Sequence, residues 1–201
     1  EKANIYRDGI LKEGVEQWQE LFEQIGFKDA ILALDYPKDD PAFDPDNIKY
    51  SCVRYAPIGI QNAMGPSWVD PRSGEIITAS VYVYHDIVKL IQRWMFIQTS
   101  QADTAVRALE FPQEVLGDAI RYVIAHEIGH CLGFMHNMSA SAAYSVESLR
   151  DPEFTAKYGT TPSIMDYARF NYVAQPEDKG VTLTPPYLGL YDYYLVKYAY
   201  C

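Results

Sequence analysis

Histidine is scarce in this chain, with four in 201 residues. Basic residues are also short: 17 Lys and Arg face 27 Asp and Glu, for a net charge of -10. An acidic surface repels phosphate backbones, which argues against nucleic acid as a partner. Cysteine is limited to Cys52, Cys131 and Cys201, with no CxxC spacing. That excludes a zinc ribbon and a thioredoxin-like redox site. A disulfide within the chain would leave one thiol over, and nothing in the sequence brings Cys52 near Cys201. No apolar run approaches the roughly eighteen residues of a transmembrane helix. No signal peptide is visible. The chain opens at Glu1 without an initiator Met and stops at Cys201. We therefore expect a piece of a longer product with other domains, so the missing signal says little about location.

What is present suits one globular unit, since 48% of residues are hydrophobic, enough to fill a core. Apolar residues at three- and four-residue steps predict a helix over 8–25, through Val15, Trp18, Leu21, Phe22 and Ile25. Gly26 is its expected C-terminal cap. AILALDY (30–36) reads as a short buried strand stopped by Pro37, and YSCVRYA (50–56) as another. The Pro- and Asp-rich stretch between them, with Asp39, Asp40, Asp44 and Asp46, reads as a solvated loop; its spacing is not that of an EF-hand. Residues 57–74 read as irregular, and EIITASVYVY (75–84) alternates as a strand should. Helices are expected over 87–108, 113–132 and 189–200, with an extended connection at 175–187. Strands dominate the first half and helices the second, an α+β order. The tyrosines of the closing helix are expected to pack against the sheet.

Three of the four histidines fall in AHEIGHCLGFMHN (125–137). On a helix, His126 and His130 stand one above the other, a spacing at which two imidazoles grip one zinc ion. Glu127 sits one step round, placed to take a proton from a water on the metal. Gly133 lets the helix end, because glycine adopts positive φ without steric cost. The chain can then reverse and return His136 as third ligand. Three protein ligands leave an open position, as in a catalytic zinc site rather than a structural one. Cys131 points about 100° from His130 and reads as a small buried residue. His85 reads as a surface or satisfied histidine, with a fourth-ligand role conceivable.

HEIGHCLGFMH matches HExxHxxGxxH at every fixed position and so resembles the zinc signature of the metzincin metallopeptidases. Ser163, Met165 and Tyr167 in PSIMDYARFNY resemble the Met-turn of that group, in the Ser-x-Met-x-Tyr form of astacins and serralysins. The resemblance implies a methionine beneath the zinc and a Tyr167 that binds the metal or supports an oxyanion. Asn137 follows the third histidine, where the best-known subgroups carry other residues. The chain looks more like a group of large, exported bacterial metzincin-like proteins with further domains on both sides. The implied fold is α+β: a twisted mixed sheet with long helices on it and a helical C-terminal subdomain. We expect one catalytic domain over 1–201, with 1–136 as its upper part and 137–201 as its lower part. EIITASVYVY is the expected edge strand for an extended substrate. Only residues 1–7 precede the first helix, so the family's usual first strand is expected to be absent or short.

These readings point to a Zn2+-dependent endopeptidase, exported by a bacterium to periplasm, cell surface or medium, acting on a polypeptide. Two alternatives stand beside it. One is a non-catalytic zinc-containing module that binds peptide or glycan; the intact Glu127 argues against it. The other is a zinc hydrolase of a non-protein amide or ester, which pocket shape would decide.

Overall fold

A computed structural model describes residues 9–184 and 187–201. Helix α1 spans Ile10–Gln24 and buries Trp18, Leu21 and Phe22. Gly26 follows at φ 96, the left-handed geometry of a residue just past a helix end. Residues 1–8, where a first strand would lie, are outside the described residues.

Four strands form one mixed sheet: β1 (Cys52–Ala56), β2 (Ala63–Met64), β3 (Ser67–Val69) and β4 (Ile76–Tyr84). β1 runs parallel to β4, with Val53 opposite Val81. β2 and β3 run antiparallel to it, Met64 opposite Tyr82 and Ser67 opposite Ala79. The pairs from Ala63 to Trp68 share one register, which shifts at Val69, so 63–69 is a single strand interrupted at Gly65–Pro66. β4 is therefore interior, paired on both sides, with Val81 and Val83 almost wholly buried. This corrects the expectation that EIITASVYVY is the edge. β1 forms one edge and 63–69 the other, the latter inside the stretch expected to be irregular, where Gly65 and Pro66 hide its alternation.

The expected strand at 30–36 is not formed. Leu32, Leu34 and Tyr36 are exposed. Side chains of α1 take the backbone donors instead: Gln19 Oε1 accepts from Ile31 N–H (2.8 Å) and Glu16 Oε1 from Ala33 N–H (3.3 Å). Captured this way, the segment cannot join a ladder.

Helix α2 is Ile87–Thr99 and ends nine residues short of the expected 108. Its last carbonyls are met locally: Ala102 and Asp103 N–H donate to Thr99 O, and a 3₁₀ turn follows at Ala105–Arg107. Helix α3, Gln113–Cys131, is the buried spine, packed between the sheet and α1. Even Arg121 is buried on it, satisfied by Asp118 (2.6 Å) and Gln17 (2.9 Å). After α3 come a 3₁₀ turn at Met138–Ala142, two short helices, α4 (Val146–Leu149) and α5 (Pro152–Tyr158), and the closing helix α6 (Leu190–Tyr200). α6 packs on α1 rather than on the sheet. Tyr200 reaches in to donate to Leu132 O (2.9 Å), while Tyr191, Tyr194 and Tyr198 remain on the surface.

Trp18 lies at the centre of the core, with no exposed surface, stacked on Phe134 and donating to Ala125 O (2.9 Å). It thus braces the turn of α3 that carries the histidines. Truncating so buried a tryptophan costs about 3–5 kcal/mol.

Candidate metal centre

The three histidines converge at the C-terminal end of α3. His136 Nε2 lies 3.2 Å from His126 Nε2 and 3.0 Å from His130 Nε2. The other nitrogen of each helical histidine is tied to a carbonyl. His126 Nδ1 is 2.7 Å from Ile164 O, and His130 Nδ1 is 2.9 Å from Phe134 O. A carbonyl only accepts, so both Nδ1 atoms carry the proton and both Nε2 atoms present lone pairs.

Gly133 makes the third ligand reachable. At φ 88 it breaks the helix, and its N–H donates to His130 O (2.9 Å). Phe134 N–H then closes on Gly129 O (3.0 Å), turning the carbonyl of Phe134 back to His130. The turn that returns His136 therefore also orients His130.

Below the histidines lies the Met-turn. Met165 has no exposed surface, and its carbonyl accepts from Asn137 N–H (2.9 Å), next to His136. Ser163 Oγ accepts from Met165 N–H (3.2 Å). Asp192, at the start of α6, is wholly buried and takes three donors: Ser163 Oγ (2.8 Å), Ile164 N–H (2.8 Å) and Gly189 N–H (2.7 Å). A relay results, from Asp192 through the backbone of Ile164, held at its N–H and accepting at its carbonyl, to the His126 ring. Such partners of metal-binding histidines fix ring orientation and basicity. The sequence reading missed Asp192. Its signal was an acid three residues after the glycine that opens a helix.

The three ring nitrogens lie close enough together to share one cation. Tetrahedral zinc–imidazole bonds of about 2.0–2.1 Å set ligand nitrogens roughly 3.3 Å apart, close to the distances found. Burial holds His126 down at about 4, and burial also lowers His136, with His130 adding to it. Both rings stay neutral near pH 7, the form that binds metal. The group fits zinc.

Residues 108–201 match the protein family described as Met-zincin. No curated protein and no solved structure matches the chain. The matched segment contains the three histidines, Glu127, Met165 and Tyr167, and His126, His130 and His136 are the residues that would hold a zinc ion. The sheet lies outside the matched residues.

Glu127 follows His126 on α3 and is buried, and its carboxylate accepts from the backbone of Gly65 in the edge strand. Burial pushes it up to about 7, against the pull of that hydrogen bond. Gly65 is required by close approach: a Cβ there would stand 2.1 Å from Glu127 O. Tyr167 is half exposed, its ring 4.4 Å from that of His136 and 5.5 Å from that of His126. Cys131 is buried, its thiol directed to Pro66 O and not part of the histidine group. His85 is bonded to Tyr55 through Nδ1 and is likewise not part of it. All three thiols are free, so Cys52 and Cys201 are not paired.

Among the described residues no helix is long and apolar enough to cross a membrane.

Proposed function

We propose that the chain is a zinc-dependent endopeptidase of bacterial origin, acting outside the cytoplasm as one catalytic unit, with 1–136 above the cleft and 137–201 below. The observation that carries this reading is Glu127 itself, buried next to His126 on α3, with a hydrogen bond to its carboxylate from the backbone of Gly65 in the edge strand. When bound, zinc lowers the pKa of water towards neutrality and polarises a carbonyl. Glu127 receives the proton of the attacking water on one carboxylate oxygen while Gly65 steadies the side chain. Its raised pKa suits a base that must later act as an acid, handing that proton to the departing amide nitrogen. Tyr167 swings its hydroxyl towards the carbonyl oxygen as negative charge builds there. The strand 63–69 offers its outer backbone to an extended polypeptide, which pairs by strand addition.

The test is cleavage of a diverse peptide mixture by the zinc-loaded chain, with new termini read by mass spectrometry. Cuts lost in Glu127→Gln, at full zinc content, support the reading. Their persistence in that variant, or their absence from folded, zinc-loaded wild type, refutes it.

A further inference from the structure

Two residues beyond Tyr167 lies a cation that the proposed chemistry does not use. Arg169 has φ 55, a backbone conformation that non-glycine residues rarely adopt. Its guanidinium lies 3.8 Å from the ring centre of Trp94 and 5.0 Å from that of Tyr167. The next residue is gripped as well, Phe170 N–H donating to Gln98 Oε1 (3.3 Å). Trp94 and Gln98 stand one turn apart on α2, so one helix face fixes both the charge and the backbone behind it. Such local strain persists where the surroundings over-determine it, and it clusters at functional sites.

Arg169 is half-buried, yet among the described residues it makes no hydrogen bond and no ion pair. The nearby Asp166 is already engaged by Ser141 (2.6 Å) and Thr161 (3.1 Å). Aromatic rings occupy the face of the guanidinium, and its N–H edge remains. That edge matches a carboxylate in two parallel bonds. The same Tyr167 ring that Arg169 leans on lies against His136 and His126. An anion held by Arg169 would therefore sit beside the metal centre.

We propose that Arg169 is a substrate-reading residue that binds a carboxylate of the polypeptide lying across the histidine group, giving a preference for acidic sequences. This rests on the peptidase reading for its substrate class. The carboxylate is that of an Asp or Glu side chain or of a free C-terminus. The net charge of -10 repels such peptides at long range, so the preference is local to the cleft.

The test compares fluorogenic peptides, acetylated and amidated, that carry Asp, Ala or Lys at each position around one cleavable bond. A further neutral peptide keeps its free C-terminal carboxylate. kcat/KM is measured for the zinc-loaded wild type, Arg169→Asn, Arg169→Glu and Arg169→Lys. Asn keeps the left-handed backbone accessible, so folding is preserved. Binding of the same peptides to zinc-loaded Glu127→Gln, with and without each change at Arg169, is followed by fluorescence anisotropy. Wild type should favour one Asp position, or the free C-terminus, over its neutral match by about tenfold or more. Arg169→Asn should erase that ratio, Arg169→Glu should invert it towards Lys, and Arg169→Lys should restore part of it. An equal slowing of all peptides would mean that Arg169 only holds Tyr167, and would overturn the proposal, as would unchanged ratios. Arg169-dependent binding of acidic peptides without any cleavage by wild type would keep the proposal and sink the peptidase reading.

Discussion

Asp192→Ala should unfold the metal centre from behind. The carboxylate satisfies two buried backbone donors, Ile164 N–H and Gly189 N–H, and the Ser163 hydroxyl. A buried donor left without a partner costs about 1–3 kcal/mol. The hydroxyl can rotate to another acceptor, so two orphaned N–H groups set the loss, roughly 4 kcal/mol at mid-range. The backbone at Ile164 is then no longer held at its N–H, and its carbonyl fixes His126 less firmly. Zinc affinity should drop at least about tenfold, the scale seen for lost partners of metal ligands. Asp192→Asn should be far milder. Its amide oxygen can keep both backbone donors, and its NH2 can donate to Ser163 Oγ. The pH dependence separates the two effects. Burial pushes Asp192 up to about 6, above an unfolded value of about 3.9. The folded state therefore holds the proton more tightly, and this contribution is complete below about pH 4 and lost as pH rises through 6. Relative to wild type, Asp192→Asn should gain up to roughly 3 kcal/mol between pH 4 and pH 7. Urea unfolding of the three proteins in chelator, at several pH values, measures the stabilities, and competition with a chromophoric chelator measures zinc affinity. The relay is wrong if Asp192→Ala keeps wild-type zinc affinity. The burial argument is wrong if Asp192→Asn loses ground as the pH rises.

Zinc should raise Tm by about 5–10 °C at a hundredfold excess over its Kd, since ligand at that ratio adds about 2.7 kcal/mol in a protein of this size; His126→Ala and His136→Ala should remove the shift in calorimetry. Gly65→Ala drives a Cβ against the Glu127 backbone, with 2.1 Å to the carbonyl oxygen, so the strand must lift from α3. We expect a cost of about 1–3 kcal/mol in urea unfolding and a loss of turnover larger than that cost explains. Cleavage by wild type should fall as the pH drops, with an acid limb at or below about 7. Protonation removes the base form of Glu127, and the zinc charge pulls its pKa downward; a pH–rate profile flat down to pH 5 would contradict this.

The zinc ligands were legible in the sequence because one helix and one turn place all three, and local geometry needs no knowledge of the rest of the fold. α1 was legible for a like reason: its apolar spacing is self-contained. The edge strand was not. Residues 63–69 become a strand only through the register of β4, and Gly65–Pro66 break the alternation that would announce it. AILALDY failed in the opposite direction. Its alternation is strand-like, yet Gln19 and Glu16 of α1 claim its donors. Gly65, Asp192 and Arg169 act across 62, 28 and 75 residues on Glu127, Ile164 and Trp94. No spacing rule reaches that far.

The most direct measurement is kcat/KM on a single cleavable peptide for wild type and Glu127→Gln, both loaded to one zinc per chain by metal analysis. Removing a positioned general base should lower the rate by about 10²–10⁴ while zinc content and fold stay the same. Equal rates at equal zinc would mean that Glu127 is not the base, and the mechanism proposed for this chain would be wrong.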